Sequence, residues 1–108
     1  IVSYWSQIKH RLLGVDEAVL SQLGPVSAPV AQAMALGAKR LLQADIAVSV
    51  TGLAGPDGDE FGNPVGLVFI GYSDEMQTLS RQFHFTGDRE SIRCQAVDEA
   101  LKLILEMQ

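Results

Sequence analysis

Two short apolar, β-branched runs joined by a glycine-rich connection constrain this chain most. Ile46 to Val50 ends at Thr51, and Leu67 to Ile70 follows after a stretch carrying Gly52, Gly55, Gly58 and Gly62. Such runs, bounded by turn residues, read as strands. Pro56-Asp57-Gly58 and Asn63-Pro64 have turn chemistry, so Ala44 to Gly71 is strand, loop, strand. Buried strands are rigid, while a glycine-rich connection lets backbone N–H groups approach a ligand closely. A site on the rim of a sheet is therefore expected here.

The rest of the chain supplies cover for that sheet. Ile1 to Tyr4 is a short strand candidate, and Ser6 is placed to cap a brief helix that Gly14 stops after Leu13. Projected at about 100° per residue, Trp5, Ile8, Leu12 and Leu13 share one arc of that helix, with Lys9 the single charge inside it. Asp16 caps a helix over Glu17 to Leu23, and Ser27 caps a longer one to Leu42, with Val30, Met34, Leu36 to Ala38 and Leu41 facing inward and Gln32, Lys39 and Arg40 outward. Ser73-Asp74-Glu75 is a turn, and Thr78 to Phe85 reads as a third strand in a hairpin with the second. A final helix spans Arg89 to Met107, with Ile92, Ala96, Ala100, Leu103, Ile104 and Met107 on one side. The order β-α-α-α-β-β-β-α predicts an α/β fold, a mixed sheet with helices covering its faces.

With 108 residues and 47% hydrophobic side chains, the chain has material for a single domain with one core. Its formal net charge of −5 and the lack of a basic stripe argue against a nucleic-acid partner. No run approaches the length of a membrane span, and no signal-peptide pattern is present. One cysteine, Cys94, cannot form an internal disulfide, and His10 and His84 are far apart in sequence. A reducing, cytoplasmic setting and chemistry without a metal or cofactor are expected. The opening Ile1-Val2-Ser3-Tyr4, with no initiator methionine, predicts that the natural N-terminus lies further upstream.

Several features compete as carriers of chemistry. The glycine-rich loop is neither a dinucleotide fingerprint nor a triphosphate loop, because no helix follows it and Gly-Lys-Ser/Thr is missing. Asp57, Asp59 and Glu60 lack the ligand spacing of a calcium loop. On spacing alone the segment is a long hairpin connection, although loops of this length in compact domains are enriched in function. Lys9 has two readings: an amine that snorkels past its apolar neighbours, or one whose burial lowers its pKa and leaves a neutral base. Ser6-Gln7-Ile8-Lys9 matches the Ser-x-x-Lys pattern of acyl-transfer enzymes, but its companion motifs are missing and chance explains the match better. Cys94, at the edge of the last helix's apolar face, reads as a packing residue. The i, i+4 spacing of Arg89 and Arg93 puts both on that apolar side at the first turn, where each must find a carboxylate, a carbonyl or a bound anion.

Taken together, Tyr4 with Lys9, Leu12-Leu13-Gly14-Val15, Gly24-x-Val26-Ser27, the run from Ala44 through Thr51-Gly52-Leu53-Ala54-Gly55-Pro56, Asn63-Pro64-Val65-Gly66 and Phe85-Thr86-Gly87-Asp88-Arg89 resemble the C-terminal domain of the competence-damage-inducible CinA proteins. That family is also known as nicotinamide-nucleotide amidohydrolase. The likeness runs the length of the chain. It implies a three-layer α/β/α sandwich that hydrolyses the carboxamide of nicotinamide mononucleotide to nicotinate mononucleotide and ammonia, in pyridine-nucleotide salvage. The resemblance further implies a serine nucleophile from an upstream Ser-Cys-Thr-Gly-Gly motif, with Lys9 and Tyr4 matching its assisting lysine and tyrosine and Thr51 an active-site threonine. Gly52, Gly55 and Arg89, with Arg93 in reserve, are the expected holders of phosphate or ribose.

Two departures stand out. Trp5 and Ser6 occupy positions where the family carries serine and asparagine, and Ser-Cys-Thr-Gly-Gly is not in this sequence. Residues 1–108 are therefore expected to form one amidohydrolase domain lacking its N-terminal third, inactive alone. Two other classes compete: a non-catalytic module that binds a nucleotide or serves a competence-associated interaction, and a scaffold that forms homo-oligomers and binds no nucleotide.

Overall fold

The computed structural model describes residues 1–108. Three helices lead, α1 (Ser6–Leu13), α2 (Glu17–Leu23) and α3 (Ala28–Leu42); three strands follow, β1 (Ala47–Gly52), β2 (Leu67–Ser73) and β3 (Thr78–His84); α4 (Arg89–Glu106) closes the chain. Helix boundaries follow local chemistry. Asp16 accepts a hydrogen bond from Ala18 N and starts α2, and Gly14, at φ +74°, ends α1 in the left-handed conformation. Asp88 caps α4 by accepting from Ser91 N at 2.9 Å. Asp88→Ala is expected to lower stability by about 1 kcal/mol, read from the urea midpoint at unchanged slope.

The strands form one antiparallel sheet in the order β1-β2-β3. All seven residues of β2 are buried, as befits a central strand covered on both faces. On one face Val68, Ile70 and Tyr72 pack against Ile92, Ala96, Ala100 and Leu103 of α4. On the other, Leu67 and Phe69 meet Val26 and Ala31 at the start of α3. Each large aliphatic side chain taken fully from water, such as Ile70, contributes about 1.5–3 kcal/mol. A satellite cluster of Leu13, Val15, Leu20, Val30 and Met34 ties α1 and α2 to α3. The layering is thus α/β/α. Gly71 lets α3 lie directly on the sheet, since a Cβ there would stand 2.2 Å from Ala31 O.

Several expectations are corrected. The sheet is wholly antiparallel rather than mixed, because the strand expected at Ile1 to Tyr4 does not form. That segment finds no ladder partner, and the Ser3 carbonyl accepts from Lys9 Nζ instead. Ser6 does not cap α1; Trp5 occupies that position without a side-chain bond. Of the arc expected to be buried, Leu13 and Lys9 are, whereas Trp5 and Leu12 are exposed. The inward stripe of α3 is Val30, Ala31, Met34 and Ala35; Leu41 is exposed, and Gln32, expected outward, reaches Ser80 Oγ on β3 at 2.9 Å. β2 runs three residues further than expected, to Ser73, before Asp74 closes the turn by accepting from Met76 N and Gln77 N.

Candidate active site

A cleft of about 930 Å³ runs along β1 and brings together Tyr4, Lys9, Thr51, Gly52 and Arg93. Side chains from both faces of β1 line it, Val48 and Val50 as well as Ser49 and Thr51, and only a strand at a sheet edge can present both. A second cleft of about 440 Å³ adds Gly55 and Arg89 and shares Tyr4, Val50, Gly52, Leu53 and Arg93 with the first. All seven residues singled out from the sequence therefore fall on two clefts with a common wall.

Lys9 is the least ordinary of them. Its side chain turns inward from α1 and is 6% exposed, with Nζ donating to the Ser3 carbonyl. No carboxylate pairs with it, and burial pulls its pKa below the ordinary lysine value. A neutral amine that gives one N–H to a carbonyl keeps its lone pair free, which is the state a proton acceptor needs. Ser6 is exposed and lines neither cleft, so the Ser-x-x-Lys match places no serine beside this amine. The Ser3 carbonyl had no signature in the sequence, because every residue carries one.

Thr51 is also buried, and its hydroxyl donates to the Pro25 carbonyl at 2.5 Å. Two residues earlier on the same face, Ser49 donates to Ala31 O at 2.6 Å, so the pair fastens β1 to the start of α3. Tyr4 is 83% exposed at the mouth shared by both clefts. A Cβ at Gly52 would stand 2.6 Å from Val68 Cγ2, so glycine there serves the packing of β1 on β2.

The arginines correct an expectation. Both are exposed rather than buried on the apolar side of α4, because Ile92 and Ala96 fill the contact with the sheet. Arg89 donates to Gly55 O at 2.9 Å, which latches the glycine-rich loop to the first turn of α4. Arg93 has no hydrogen bond or ion pair, and it borders both clefts with its guanidinium uncommitted. Cys94, expected to pack, is exposed. In the loop, Asp59 accepts from Phe61 N, Asn63 N and Asn63 Nδ2, so its carboxylate is spent on holding the turn. No group of three or more histidine, cysteine or acidic side chains is arranged to hold a metal, and no helix is long and apolar enough to cross a membrane.

A family model for the CinA C-terminal domain matches residues 1–108. The chain belongs to the CinA C-terminal domain family. Among relatives in this family, a CinA-like protein of Geobacter metallireducens is 48% identical over 92 residues, which cover 85% of this chain and 22% of that protein. The nicotinamide-nucleotide amidohydrolase PncC of Enterobacter agglomerans is 45% identical over 105 residues, covering 96% of this chain and 64% of its own length. The fold agrees as well. A crystal structure of a CinA superfamily protein from Escherichia coli superposes with a TM-score of 0.96 at 34% identity, over 99% of this chain and 62% of the other. The chain thus spans less than two thirds of the length of each of these proteins.

Proposed function

We propose that this CinA C-terminal domain, when complete, hydrolyses the carboxamide of nicotinamide mononucleotide to nicotinate mononucleotide and ammonia. The observation that carries the reading is the buried, unpaired Lys9 amine on a cleft shared with Thr51, Tyr4 and the uncommitted Arg93. The name of the Enterobacter agglomerans relative supports the same chemistry. In this reading the serine of the family's Ser-Cys-Thr-Gly-Gly motif, which residues 1–108 do not include, attacks the carboxamide carbon while its proton passes to Lys9 Nζ. The ammonium so formed returns the proton to the departing nitrogen as the C–N bond breaks, releasing ammonia and leaving an ester. Water then attacks the ester, Lys9 takes its proton and restores the serine hydroxyl, and the acid leaves. Tyr4, at the mouth, orients the amine or relays the proton, and Arg93 faces the phosphate.

The test completes the domain with the part of the Enterobacter agglomerans relative that the match leaves uncovered. Ammonia release from nicotinamide mononucleotide is expected from the completed domain and not from residues 1–108 alone. A completed, folded domain that binds the nucleotide without releasing ammonia would make it a binding module.

A further inference from the structure

We infer that Thr51 tells carboxamide from carboxylate, acting as a hydrogen-bond acceptor for the substrate's amide N–H; the inference rests on the amidase reading above. A threonine hydroxyl has one hydrogen and two lone pairs. The hydrogen of Thr51 is committed at 2.5 Å to Pro25 O, a carbonyl that can only accept. Thr51 is 6% exposed, so water does not compete freely for that bond, and it lines the cleft that Lys9 enters. What this hydroxyl offers a ligand is therefore lone pairs alone. An amide –NH2 meets them as a donor, whereas a carboxylate oxygen would bring acceptor against acceptor in a desolvated wall.

The direction of this preference opposes the charges around it. Nicotinate mononucleotide carries one more negative charge than nicotinamide mononucleotide, and Arg89 and Arg93 on the adjoining cleft would attract the acid more strongly. A site governed by charge would hold its product; one governed by the Thr51 acceptor releases it.

Isothermal titration of the completed domain, with the serine of its Ser-Cys-Thr-Gly-Gly motif replaced by alanine so that the ligands survive, tests this with three ligands. They are nicotinamide mononucleotide, nicotinate mononucleotide, and the methyl ester of the latter, which is uncharged at the carboxyl and has no N–H to give. The amide is expected to bind about tenfold more tightly than both others. Thr51→Ser, which keeps the hydroxyl and its tie to Pro25, preserves the gap. Thr51→Val, with its fold checked by circular dichroism, brings amide and ester within twofold of each other. An ester that binds this domain, with Thr51 intact, as tightly as the amide overturns the inference and leaves the amidase reading standing, and this comparison needs no Thr51 variant to fold. Failure of all three ligands to bind overturns both.

Discussion

Lys9→Met in the completed domain is expected to cut ammonia release at neutral pH by about a thousandfold, the scale on which general acid–base groups act, while making the protein more stable. Both halves follow from one buried amine. Catalysis in the proposed reading needs the neutral form, so the parent rate falls as pH drops through the lowered pKa of Lys9, and the variant's residual rate loses that limb. The folded pKa lies below the unfolded value of 10.5, so between the two the unfolded chain binds more protons and stability rises with pH. Above 10.5 both states are neutral and the rise ends. Below the folded pKa the ammonium is buried and stability is lowest. The methionine variant, with nothing to titrate, should therefore exceed the parent most below the folded pKa of Lys9, and the gap should close as pH rises toward 10.5. Paired ammonia assays and urea melts across pH measure both halves. An unchanged rate with a loss of stability would make Lys9 a structural residue.

Gly71→Ala should be among the most damaging single-carbon additions in the fold. The new methyl would stand 2.2 Å from Ala31 O and 2.5 Å from Ser49 Oγ, and the carbonyl belongs to a helix that cannot yield alone. Separating α3 from the sheet would open the contacts of Ala31 with Leu67 and Phe69 and stretch the Ser49 and Thr51 ties. A loss of about 3 kcal/mol, at the upper end for overpacking, is expected in the urea midpoint. A midpoint within about 0.5 kcal/mol of the parent would contradict the backbone contact between α3 and β2.

The periodic parts of the fold were legible in the sequence. The β2–β3 hairpin follows from a continuous apolar run, the trace of a strand covered on both faces, and a turn, while the sheet-facing residues of α4 follow from the 3.6-residue repeat that burial on one face leaves. Where the sequence misled, propensity lacked a partner or a helix was too short. Ile1 to Tyr4 has strand composition, yet a strand exists only with a neighbour to bond. In α1, eight residues bury one narrow stripe, so Lys9 and Leu13, one turn apart, turn in and Trp5 stays out. Gln32 was placed outward by its polarity, but its amide finds Ser80 on β3. Of the site, Lys9 stood out as the single charge in an apolar arc, and its burial agrees. Its acceptor at Ser3 and that of Thr51 at Pro25 are main-chain carbonyls, which no side-chain pattern can announce.

β1 is bonded to a neighbour along one side only, and its other side borders the larger cleft. Peptide groups therefore form part of that wall, and they are the same whatever side chains the strand carries. Substitutions along β1 can reshape the cleft but cannot delete this part of its lining. In the proposed reading, the side chains of residues 1–108 that set ligand choice, Thr51 on β1, Lys9 on α1 and Arg93 on α4, thus work against a main-chain background that substitution does not alter.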